Sequence, residues 1–170
     1  MSSRPEQEAR TTMFERFTEE SVRALFFAEA TAQQAGRDFV EPEHILAGVL
    51  RAAPAILSSQ PDPASMYHSI LHLLQLRPFS ETVEPATQKI PFSPAVQRLL
   101  NDTVAEADRL RHHRIRPEHI LIALLGHQGS VPAQALRQAG VEREALAESA
   151  SRAAAVTDGP LPYRAYLRLG

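Results

Sequence analysis

Cysteine is absent from the 170 residues, which removes disulfide frameworks, thiolate metal sites and cysteine nucleophiles together. No apolar run approaches the roughly 18 residues that a membrane span requires. The opening stretch, residues 1–8, has no apolar segment and does not read as a secretory signal. An excess of positive charge is missing too: 18 basic side chains face 20 acidic ones, for a formal net charge of -2. That balance argues against a nucleic-acid surface. Lys89 is the only lysine, a compositional bias to which no mechanism is attached. No stretch alternates apolar and polar residues as a half-buried strand would. With 44% hydrophobic and 22% charged residues, the expectation is a globular cytoplasmic chain, one ordinary domain or two small ones.

What is present is present twice. Glu41-Pro42-Glu43-His44-Ile45-Leu46 returns as Arg116-Pro117-Glu118-His119-Ile120-Leu121, and each copy opens an apolar run. Proline is tolerated in a first helical turn, where its missing N–H would be unpaired, and the next acid suits the positive end of the helix dipole. A shift of 75 positions also carries Phe17 onto Phe92, Thr18 onto Ser93 and Val40 onto Ile115. The same shift relates the apolar face Leu25, Ala28, Ala32, Ala35 to Leu100, Thr103, Ala107, Leu110. A constant offset over such a length marks a duplication.

Each half reads as about four helices, so the fold class is all-α, two pseudo-twofold-related four-helix repeats. Thr18 is placed to cap the first helix, with Glu19 and Glu20 in its first turn and Gly36 as its stop. A second helix spans 42–51, a short turn follows at 54–58, and Asp62-Pro63 starts another that carries Met66, Ile70, Leu73 and Leu74 inward. Periodicity vanishes between 77 and 92, where Pro78, Pro85 and Pro91 punctuate the chain. Ser93-Pro94 restarts the scheme, and helices follow at 131–137, with Gly140 as its cap, and at 142–155. The expected division is a flexible tail 1–12, repeat one 13–76, a linker 77–91, repeat two 92–156 and a C-terminal tail 157–170.

Several side chains invite chemistry and are read conservatively. His44 and His119 are expected to close hydrogen bonds within each repeat, and His112-His113 to be solvated surface. His68 and His72 share the spacing of a metal clasp, but no third ligand accompanies them and no metal is expected. Phe26, Phe27 and Phe39 are expected in the core. The arginines Arg109, Arg111, Arg114 and Arg116 read as surface or as a seat for an acidic partner. No nucleophile elbow or zinc motif appears, so no enzyme is expected.

Phe14-Glu15-Arg16-Phe17-Thr18, Glu43-His44-Ile45-Leu46, Ile90-Pro91-Phe92-Ser93-Pro94 and Glu118-His119-Ile120-Leu121 resemble, in order and separation, the N-terminal domain of Clp/Hsp100 unfoldases of the ClpC type. The resemblance spans about 13–155. It implies a non-enzymatic docking domain for protein substrates or adaptors, with a Clp ATPase or protease as a further partner and no cofactor. No phosphate-cradling G-x-x-x-x-G-K-[ST] loop is present, so a free-standing relative of the docking domain is expected. By the same resemblance Glu43 and Glu118 would bind phosphoarginine, with Thr18 or Ser93 as hydroxyl donors, and Phe14 and Phe92 would flank a small apolar groove. Two readings stand for the glutamates: ligand carboxylates, or acids that merely stabilise a helix terminus. The chain also departs from the family: Glu41-Pro42 and Arg116-Pro117 replace its Gly-Thr. A second expectation keeps the fold but loses the ligand, leaving a structural or regulatory partner that acts through the linker or the C-terminal tail.

Overall fold

In a computed structural model of the chain, residues 14–58, 60–77 and 89–157 are described. They contain seven α-helices, α1 (Glu19–Gln34), α2 (Pro42–Ala52), α3 (Pro63–Leu73), α4 (Pro94–Arg109), α5 (Pro117–Gly126), α6 (Val131–Gln138) and α7 (Arg143–Thr157), with a 3-10 turn at Pro54–Leu57. No strand occurs among the described residues; two isolated bridges are the extent of β structure. None of the described helices is long and apolar enough to cross a membrane. The tails and most of the proline-rich linker expected from the sequence lie outside the described residues.

The helix ends follow the local chemistry of the sequence. Thr18 accepts from the Ser21 N–H and Ser93 from the Val96 N–H, while Asp62 and Ser130 do the same for α3 and α6. Such caps satisfy donors that a helix cannot pair internally, each contributing about 1 kcal/mol. Gly36 and Gly140 take positive φ just past α1 and α6, the left-handed position that ends a helix. At the two repeated stretches the cap is a histidine. His44 Nδ1 accepts from the Glu41 N–H, and His119 Nδ1 from the Arg116 N–H, both at 2.8 Å.

Backbone pairing between halves displays the twofold relation directly. Phe17 bridges Ile115, and Val40 bridges Phe92. Ile115 N–H donates to Arg16 O and Thr18 N–H to Ile115 O, at 2.9 and 3.0 Å. The mates, Val40 N–H to Pro91 O and Ser93 N–H to Val40 O, measure 2.9 and 3.0 Å. The segment entering the first helix of each half is thus tied to the segment entering the second helix of the other. That crossing carries Thr18 to the start of α5.

The apolar faces of α2 and α5 meet in one core with Val96, Leu99, Ile70 and Leu136, nearly all fully buried. Helix α5 is buried on nearly every side, as an element central to a small domain must be. Gly48 explains how closely α1 approaches α2: a Cβ there would stand 2.1 Å from the Ala24 carbonyl oxygen. Its mate in the second half is Ala123, facing a helix that carries Leu99 and Thr103 where α1 carries Ala24 and Ala28. Three sequence expectations are corrected here. Phe26 and Phe39 are about half exposed, and Leu73 is exposed rather than inward; only Phe27 of the three phenylalanines packs on the core.

Candidate functional site

The cross-repeat pairing assembles a recess of about 500 Å³ from three helices. Thr18, Glu19 and Glu20 come from the start of α1, Pro117 and Glu118 from the start of α5, and Ala153 and Thr157 from α7; Arg114 and Arg116 complete it. Glu118 is nine-tenths buried. Burial pushes its carboxyl pKa upward; Arg116 pulls it down, and the charge of Glu20 adds to the upward shift. Desolvation of the charged form outweighs the arginine. Arg116 is itself buried, and its guanidinium donates to the Thr157 hydroxyl. Glu118 therefore has a cation nearby, held by another partner.

Glu43 is placed differently. It is only half-buried and lines a larger recess of about 1040 Å³, with His44, Arg37, Arg77 and the exposed Leu73. Ser93 is buried at the start of α4 and is not among that recess's lining residues. The structure brings Thr18 and Glu118 into one recess and leaves Glu43 and Ser93 outside any shared one described here. Phe14 packs edge-on against Phe17 at 5.3 Å, Phe92 bridges Val40, and neither lines the recess of Glu43 or of Glu118.

The histidines form a chain that sequence reasoning missed. His112, expected on the surface, is buried with its Nδ1 2.9 Å from His119 Nε2, and its own Nε2 lies 3.3 Å from Ser151 Oγ. Because His119 Nδ1 accepts from a backbone N–H, the His119 proton sits on Nε2 and points at His112 Nδ1. The His112 proton is then on Nε2, aimed at Ser151. A serine nucleophile needs an imidazole lone pair there, so this Ser–His–His array has the wrong polarity for activating it. Its effect is to fasten α7 to the start of α5. In repeat one Arg37 stands where His112 would be, so the place of the second imidazole is taken by a guanidinium-bearing residue. Burial, then Arg37, lowers the His44 pKa to about 4. The signal for the pairing was present in the spacing of His112 from His119, which a turn ending at the positive-φ Arg111 folds together.

The family model of the Clp repeat (R) N-terminal domain matches residues 16–110 and 91–160. The chain belongs to the Clp N-terminal domain family. The chaperone protein ClpC2, chloroplastic, of Oryza sativa subsp. japonica is 31% identical over 137 residues, 77% of this chain and 14% of that protein. The chloroplastic ClpA homologue of the Clp protease ATP-binding subunit from Brassica napus is 31% identical over 136 residues, 76% of this chain and 15% of its own length. This Clp N-domain thus spans about a seventh of the length of those relatives. Among solved structures, the N-terminal domain of ClpD from Arabidopsis thaliana superposes with a TM-score of 0.60 at 26% identity, covering 82% of this chain and 94% of that one. The Hsp104 N-terminal domain from Candida albicans shares the fold, with a TM-score of 0.59 at 18% identity over 85% of this chain and 93% of its own. The all-α, duplicated architecture is that of Clp N-domains, and a protein-interaction module is the role the family supports.

Proposed function

We propose that this Clp N-domain docks protein substrates or adaptors of a Clp-type unfoldase through arginine side chains, phosphoarginine-marked ones included, and so modulates which proteins reach the protease. The observation that supports this reading is Glu118, a carboxylate nine-tenths buried yet forming part of an open recess. A buried carboxylate destabilises the fold unless something cationic meets it. A guanidinium does so with two parallel charge-assisted hydrogen bonds. Glu43, half-buried in a larger recess, is the second carboxylate offered to such ligands.

The test is titration of the full chain with arginine and phosphoarginine peptides, alongside Glu43→Gln and Glu118→Gln. Loss of binding in either variant supports the reading. Equal binding by parent and both variants refutes the assignment of these carboxylates. Exposure of Val22, Phe26 and Phe39 favours a second reading, an interaction protein that meets its partner through apolar surface without a small ligand. Retention of a partner by the Glu118→Gln variant and its loss on Phe26→Ser would select that reading.

A further inference from the structure

The two carboxylate sites are not equivalent, and proton accounting at Thr18 shows how. The Ser21 hydroxyl donates to the Ile115 carbonyl at 2.9 Å. With that proton engaged, the 3.0 Å contact between Thr18 Oγ1 and Ser21 Oγ has Thr18 as donor. Thr18 Oγ1 in turn accepts from the Ser21 N–H at 3.3 Å. The Thr18 hydroxyl proton is therefore directed inward, and the other hydroxyl lining the recess, that of Thr157, donates to the Ala153 carbonyl at 2.8 Å, so neither faces a bound anion. Beside it, Glu19 and Glu20 line the recess, and the Glu20 charge reaches Glu118.

The equivalent positions at the start of α4 lack every part of this arrangement. Val96 replaces Ser21, Pro94 and Ala95 replace Glu19 and Glu20, and among the described residues the Ser93 hydroxyl has no acceptor, serving only the Val96 N–H.

We propose that the Glu118 recess selects the unmodified guanidinium of a substrate arginine and rejects its phosphorylated form, with Glu20 and the Thr18–Ser21–Ile115 chain as the specificity-determining elements. This rests on the reading that the recess receives an arginine side chain. A phosphoryl group adds up to two negative charges and oxygens that need donors, for which a helix N-terminus ordinarily serves. At α1 the side-chain donor is engaged and two carboxylates repel the incoming charge. Arg114 is an exposed counter-charge on the rim, and Arg116 donates to Thr157. An unmodified guanidinium meets carboxylates on both sides instead.

The experiment uses the full chain carrying Glu43→Gln, so that the other carboxylate does not contribute. Three capped peptides are titrated by NMR: Ala-Arg-Ala, its phosphoarginine form and Ala-Lys-Ala. The arginine peptide is expected to bind, and at least tenfold more tightly than either of the others. Adding Glu118→Gln, which keeps shape and removes charge, is expected to weaken it at least tenfold. Glu20→Gln at the exposed position, and Ser21→Ala, which frees the Thr18 proton, are each expected to raise phosphoarginine affinity and narrow the gap. Phosphoarginine binding as tight as arginine in the Glu43→Gln chain overturns the specificity while leaving the docking reading intact. Failure of every peptide to shift residues around Glu118 overturns both.

Discussion

Repeat one and repeat two share a backbone and almost nothing else at their sites. The cross-repeat hydrogen bonds agree to within a tenth of an ångström, and both repeated helices start on proline with a histidine folded back as cap. Around that common frame the side chains have separated. Repeat one closes α1 on α2 through Ala24, Ala28 and Gly48, whereas repeat two carries Leu99, Thr103 and Ala123 and leaves a recess of about 570 Å³ beside Ala123. In repeat one Arg37 stands near His44; in repeat two His112 and His119 form a buried pair. Glu43 is half-buried and Glu118 is buried. The comparison teaches that main-chain pairing and capping maintain the architecture, while packing and charge are free to differ.

The largest break in that comparison is expected at Gly48. Gly48→Ala drives a methyl group onto the Ala24 carbonyl oxygen and within 2.9 Å of the Ala28 nitrogen. Both are backbone atoms that move only with the helix. We expect destabilisation of about 3 kcal/mol or more, at the top of the range for overpacking, read as a fall in the midpoint of denaturant unfolding. The mate, Ala123→Gly, is expected to cost about 1 kcal/mol, mainly through helix propensity. Equal effects at both positions would show that α1 and α2 do not approach as closely as described.

Acid sharpens the comparison next. His44 has a folded pKa near 4 against an ordinary 6.5, so between those values the unfolded chain binds the proton that the folded one refuses. Stability from this residue is fully present above pH 6.5 and is lost as pH falls toward 4, by on the order of 3 kcal/mol. His44→Gln keeps an acceptor for the Glu41 N–H, as in a capping box, and does not titrate. We expect it to remove that part of the acid lability, measured as the difference in unfolding free energy between pH 7 and pH 4. An unchanged pH dependence would mean that the His44 ring is not buried neutral.

The duplication and the helix starts were legible because they rest on short-range rules. Thr18, Ser93 and Asp62 announce caps, and Pro42, Pro94 and Pro117 announce first turns, whatever the rest of the chain does. The match of Phe17 to Phe92 and Val40 to Ile115 was legible as well. That each pairs across the repeats, Phe17 with Ile115 and Phe92 with Val40, was not, since an internal repeat does not say whether its units pair within or between themselves. Burial of single residues was legible least. Phe26 and Phe39 are large and apolar, yet they fall on outward faces, and the polar run around His112 conceals a ring turned inward. Only the arrangement of neighbouring helices decides such cases. The candidate site followed the same division: the carboxylates were marked by the repeat, while the proximity of Thr18 to Glu118 arises from the crossing.

The caps come next in size. Thr18→Ala and Ser93→Ala each remove an acceptor for a helix-start N–H, a loss of about 1 kcal/mol in thermal unfolding. Thr18 should be the costlier, because its hydroxyl also donates to Ser21 whereas Ser93 serves only the Val96 N–H among the described residues. Equal losses would mean that the Thr18 proton is not engaged, and the proposed bar to a phosphoryl group would fall with it.

The smallest effect is decided by its sign. An acid whose folded pKa is raised holds its proton in the fold after the unfolded chain has released it, so stability falls as pH rises through that interval. Above the ordinary glutamate range the buried Glu118 then costs stability, since burial outweighs both the attraction of Arg116 and its backbone hydrogen bond. Glu118→Gln is therefore expected to be more stable than the parent at pH 7 and equal to it well below the ordinary glutamate range, while losing any cationic ligand. A variant less stable at pH 7 would mean that Glu118 is held by the fold for its own sake, as a helix-terminal acid. A gain in stability with a loss of binding is the pattern of a residue kept for what it meets from outside.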